Sequence, residues 1–101
     1  MTYHIDYAYT CHAGKVRPNN EDNFWCCGEH LPVSNHGTEE IRTGLRLRES
    51  LPVMAVFDGM GGESQGEMAA WLASDSLEHF YGENKGMLRK VPELFLTEAC
   101  R

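Results

Sequence analysis

Two short stretches of the chain concentrate residues able to do chemistry. One is Arg17-Pro18-Asn19-Asn20-Glu21-Asp22, and the other is Asp58-Gly59-Met60-Gly61-Gly62, which directly follows an apolar run. A carboxylate at the end of a buried strand is costly unless a cation or several donors surround it. Glycines behind Asp58 allow close approach and let a backbone carbonyl turn inward. Carboxylate and carbonyl oxygens are the ligands that Mg²⁺ and Mn²⁺ prefer. Taken singly, each feature has an ordinary explanation. Asp-Gly is a common turn dipeptide, Glu21-Asp22 reads as a solvated pair, and Arg17 as a surface residue. Their joint occurrence carries the signal.

The elements that must position these groups are legible in outline. Residues 3–11 and 22–27 are rich in aromatic and β-favouring types and are expected as strands. Gly14, Pro18, Asn19 and Asn20 mark a turn between them. Residues 28–50 are the least patterned, although 41–48 alternate apolar and basic residues as a half-exposed strand would. The run 51–57 is expected as a central strand covered on both faces. A helix is expected over about 65–81, with Ser64 and Glu67 spaced as a capping box. Its buried face is expected to hold Ala69, Leu72, Ala73, Ser76 and Phe80, leaving Trp71 on the wet side. A turn over 82–86 precedes a second helix opening near Pro92. In that helix Phe95, Leu96, Ala99 and Cys100 share a face, and the chain stops at Arg101 in mid-element.

Composition narrows the function classes. A chain of 101 residues is one domain at most, and its 42% apolar and 24% charged content is that of a globular protein. The net charge of −6 repels phosphate backbones, so nucleic acid is not an expected partner. No apolar run would span a bilayer, so no membrane partner is expected either. The first residues lack the pattern of a signal peptide. Cys11, Cys26, Cys27 and Cys100 form no C-x-x-C pair and read as reduced thiols, which places the chain in the cytoplasm. A nucleotide-binding reading of the strand, glycine turn and helix fails. Ser64 stands where G-x-G-x-x-G needs its last Gly, and Glu63 would repel a phosphate.

The stretch from Gly14 to Asp22 resembles the first motif of the type 2C, metal-dependent protein phosphatases in its bacterial form. Val56-Phe57-Asp58-Gly59-Met60-Gly61-Gly62, followed by Gly66-Glu67 and an Ala-rich helix, resembles the second. The resemblance covers most of residues 5–81, with 28–50 adding nothing specific. It implies an α+β fold, the amino-terminal portion of a β-sandwich flanked by helices, over residues 1–101. It further implies a protein serine/threonine phosphatase acting on phosphorylated Ser/Thr proteins through water activated by two Mn²⁺ or Mg²⁺ ions. By position, Asp58 would bridge the metals, with Glu21 and the Gly59 carbonyl completing one site. Asp22 would orient metal-bound water, and Arg17 would hold the substrate phosphate as a guanidinium fork. Met60 stands where some members carry a candidate acid, so no general acid is assigned. The family's distal Asp ligands have no counterpart before Arg101. The chain alone is therefore expected to hold one metal at most, with a second chain supplying the missing half. The competing reading is a non-catalytic remnant or pseudo-phosphatase module that binds a partner protein.

Overall fold

Four consecutive side chains of the segment Asn23–Cys26 are buried, and this strand, β2, organises the fold. In the computed structural model, which describes residues 3–16, 18–47, 50–59 and 66–101, β2 pairs antiparallel with β4, Met54–Phe57. A second antiparallel pair joins β1, His4–Tyr9, to β3, Arg42–Leu47. The helices are α1, Gly66–Glu83, α2, Lys85–Lys90, and α3, Pro92–Ala99. The described residues thus form an α+β chain with two two-stranded antiparallel sheets and three helices. None of these helices is long and apolar enough to cross a membrane.

Strand alternation sends the side chains of β2 to two different layers. Phe24 and Cys26 join Leu31 in a core against Tyr7, Tyr9, Cys11 and Cys27. The Tyr9 and Phe24 rings lie 4.9 Å apart, which seats the β1–β3 sheet over β2. Trp25 faces the other way and packs on Tyr81 of α1, also at 4.9 Å. The order is helix, sheet, sheet, with β2 in the middle.

Hairpin chemistry fixes where β2 ends. Cys26 and Glu29 exchange both backbone hydrogen bonds, at 3.0 and 3.1 Å. The intervening Cys27 and Gly28 have φ of 50° and 94°, the positive pair that a tight turn matched to strand twist requires. Past the turn, the buried Asn23 amide acts as a surrogate strand. Its Nδ2 donates to the Leu31 carbonyl at 2.9 Å, and its Oδ1 accepts from the Leu31 amide, also at 2.9 Å.

Several expectations need correction. The run 51–57 is not a central strand covered on both faces. Leu51 has φ of 51°, Pro52 has no N–H to offer a ladder, and pairing starts only at Met54. Among the described residues β4 has β2 as its single partner, and Val56 is 84% exposed. The strand with both faces covered is β2.

Helix α1 also turns a different face inward. Its buried residues are Gly66, Ala70 and Ser74, while Ala69, Leu72 and Ser76 are exposed. Small side chains let the helix approach a sheet face already filled by Trp25. The large apolar residues, which dominate a sequence-based face, are too bulky for that contact. Trp71 is half-buried beside His30 rather than on the wet side. Ser64, half of the expected capping box, lies outside the described residues.

The expected turn over 82–86 is instead helical on both sides of Asn84, whose Nδ2 donates to the Phe80 carbonyl at 2.9 Å. Helix α3 does open with Pro92 in its first turn. Of its expected apolar face, Phe95 is fully buried against Phe80 and Tyr81, whereas Leu96 is 57% exposed. The helix runs to Ala99, with the Cys100 amide reaching the Leu96 carbonyl.

All four cysteines are free thiols. Burial, reinforced by neighbouring Cys27, pushes the Cys26 thiol from 9.0 up to about 11. Burial also raises Tyr9 and Tyr81 above 10.0. Between these unfolded and folded values the native state holds more protons than the unfolded state, so stability falls as pH rises. Unfolding midpoints in urea, measured from pH 8 to 11, are expected to decline steadily above about pH 9. At pH 8, exposed Cys100 is expected to alkylate quickly and Cys26 only on unfolding.

Candidate functional site

The β2–β4 register brings the two chemical stretches together. Asn23 lies opposite Phe57, so the residues just beyond the ladder are Asp22 on one strand and Asp58 on the other. One step further out, Glu21 meets Gly59. The contact is direct: a Cβ placed on Gly59 would overlap the Glu21 carbonyl oxygen and the carbonyl of Gly66. The Gly59 amide donates to Asp22 Oδ1 at 3.2 Å. Glu21, Asp22 and Asp58 therefore lie at one end of one sheet, but their carboxylate oxygens do not all come within 4.8 Å of one another.

Burial divides their roles. Asp58 is exposed, Glu21 and Asp22 are half-buried, and Gly59 is buried. An exposed carboxylate at a strand end is free to meet a cation from solvent. Asp22, by contrast, spends one oxygen on the Gly59 amide and so fixes the path of the chain just after Asp58. The first turn of α1 lies against Gly59 through Gly66, and the positive end of a helix favours nearby carboxylates. Oxygen donors of this kind fit a hard divalent cation better than a soft one.

The loop that carries Glu21 and Asp22 is held by Asn20, 2% exposed and bonded through both polar side-chain atoms and its backbone amide. Its Nδ2 donates to the Asp22 carbonyl at 2.9 Å and to Asn35 Oδ1 at 2.9 Å. Its Oδ1 accepts from the Asp22 amide at 3.3 Å, and its own amide donates to the Asn35 carbonyl at 2.9 Å. Asn35 Oδ1 in turn accepts from the Gly37 amide at 2.8 Å. Gly37 packs on the Cys11 carbonyl with φ of 100°, where a side chain has neither space nor an easy conformation. Thr38 then ties back to Cys11 through its backbone and hydroxyl.

Residues 35–38, which carry no periodic pattern, thus supply the brace behind the acidic pair. As sequence, Asn20 marks only a turn, and Asn35 belongs to a polar cluster with no assigned role. The only cue available was an asparagine directly preceding two acids. Arg17, Met60, Gly61 and Gly62 lie outside the described residues, and the phosphate-holding role expected of Arg17 lies there with them.

Compared with known proteins, the chain matches no family model, no curated protein and no solved structure.

The packing makes opposite predictions for two glycines. Gly59→Ala is expected to destabilise the chain by about 3 kcal/mol, the upper range for overpacking, because both neighbours are backbone. Gly82→Ala, in α1 with open space around its Cα, is expected to stabilise by about 0.5–1 kcal/mol. Urea titrations of both variants check the pair. Equal midpoints would show that Gly59 is not wedged between the acidic loop and α1.

Proposed function

We propose that this chain carries the cation-binding end of a metal-dependent protein serine/threonine phosphatase of the type 2C kind. The observation that carries the reading is the β2–β4 register, which sets Glu21-Asp22 beside Asp58-Gly59 and bonds the Asp22 carboxylate to the Gly59 amide.

In this reading Glu21, Asp58 and the Gly59 carbonyl hold Mn²⁺ or Mg²⁺, and Asp22 holds the Asp58-Gly59 segment in place. A divalent cation bound there supplies Lewis acidity, activating water and offsetting the charge of a phosphate ester. The chain's own contribution is orientation. Asn20 fixes the loop bearing Glu21, the Gly59–Glu21 contact fixes the separation of the two strands' ends, and the cluster of acids repels phosphate until a cation neutralises it. Substrates of the reading are phosphoserine and phosphothreonine proteins, with Arg17 as the proposed phosphate anchor.

A second reading, a module that binds a partner protein without turnover, is favoured by a different observation. Val56, Leu72 and Met54 are 84%, 51% and 47% exposed, and the radius of gyration of 14.7 Å exceeds the roughly 13 Å of a compact chain this long. Apolar surface on that scale suits coverage by another protein.

One pair of measurements separates the readings. Isothermal titration of Mn²⁺ into the chain is expected to show saturable binding that Asp58→Asn loses. Since Asp58 is exposed, that variant keeps the fold. Release of phosphate from a phosphothreonine peptide is then measured with and without Mn²⁺. Metal-dependent release that Asp58→Asn abolishes supports the phosphatase. Binding without release supports the partner-binding module, and absence of binding in a folded chain rejects the cation site itself.

A further inference from the structure

Away from the acidic strand end, the molecule gathers a second, chemically different donor set. Among the described residues, ligand atoms of His30, Asp75 and Glu78 all lie within 4.8 Å of one another. Asp75 and Glu78 stand three residues apart on α1 and so share a helix face. His30 reaches them from the loop after β2, where the Cys26–Glu29 turn on one side and the Asn23 clamp on Leu31 on the other fix the backbone. The side chains are 17%, 31% and 42% exposed for His30, Asp75 and Glu78, so the group is open to an ion from solvent.

The hydrogen bonds around the ring decide its state. Ser74, completely buried, donates its single hydroxyl proton to the Trp71 carbonyl at 2.8 Å. Its oxygen also lies 3.2 Å from His30 Nδ1, and assigning the hydroxyl proton to the shorter Trp71 contact makes Nδ1–H the donor there. That tautomer leaves Nε2 with its lone pair turned toward the two acids. Nε2 stands 3.8 Å from Glu78 Oε2, too far for a hydrogen bond. The gap is close to the roughly 3.3 Å between two ligands of a tetrahedral zinc with bonds near 2.0 Å. The arrangement has the form seen around metal-bound histidines, in which the far ring nitrogen is held by a fixed acceptor. Trp71, its ring 6.3 Å from that of His30, walls one side. His79, 3.5 Å from Asp75, engages the same carboxylate from its exposed flank.

We infer that His30, Asp75 and Glu78 form a Zn²⁺ site that clips the loop after β2 to α1. Imidazole with two carboxylates suits zinc rather than the all-oxygen preference of Mg²⁺, which separates this site from the one at Glu21 and Asp58. Three protein ligands leave a fourth position for water or an incoming group.

The test is titration of Zn²⁺ alone into the whole chain, followed by calorimetry and by ¹⁵N–¹H spectra of the histidine rings. Zinc is expected to move the His30 Nε2 resonance saturably. Glu78→Gln and His30→Gln are expected to weaken binding at least about tenfold, whereas Cys100→Ser leaves it unchanged. Because Glu78 is substantially exposed, Glu78→Gln tests the ligand without threatening the fold. Zinc binding that leaves His30 unmoved, or that survives both ligand variants, would place the ion on other donors and overturn the site. A His30 ring that titrates with acid but ignores zinc would overturn it equally, leaving an ordinary ion pair.

Discussion

The covering of β2 on both faces is the constraint around which the other elements are arranged. Phe24 and Cys26 need a layer on one side, and Trp25 needs one on the other. The β1–β3 sheet meets the first need through Tyr7 and Tyr9, and α1 meets the second through Tyr81 and a stripe of small residues. Enclosure makes an unpaired polar group costly. Asn23 is bonded to Leu31, and the neighbouring Asn20 to Asn35 and Asp22, whereas the buried Trp25 Nε1 has no partner among the described residues. The two asparagines convert a packing demand into a fixed loop, and that loop carries Glu21 and Asp22.

Much of this was legible in the residues, for identifiable reasons. β1 and β2 announce themselves through aromatic and β-favouring side chains, and β3 through alternation. The start of α3 is marked by Pro92, and α1 by the helical spacing of its apolar residues. The meeting of the two acidic stretches follows from pairing β2 with β4, which neither motif states by itself.

What could not be read has a common cause. Burial of α1 is decided by the shape of its neighbour, and a sheet face occupied by an indole selects Gly66, Ala70 and Ser74 over Leu72 and Met68. Periodicity weighted by hydrophobicity looks for the opposite. β4 has the composition of an interior strand but is an edge, because composition does not report how many partners a strand has. Segment 28–50 works through amide and hydroxyl hydrogen bonds at Asn35 and Thr38, which leave no periodic trace. His30 was invisible for the same reason, since its helix partners lie 44 and more positions away.

The ladder between β2 and β4 also behaves as a vernier. Adjacent residues on a strand point to opposite faces, so a slip of one position would turn Trp25 into the tyrosine layer and carry Asp22 away from the Gly59 amide. No intermediate alignment keeps the core and loses only the acidic end. Assembly of that end is therefore all or none with the seating of a tryptophan, and any cation it holds acts as a latch on the whole alignment rather than on a surface loop.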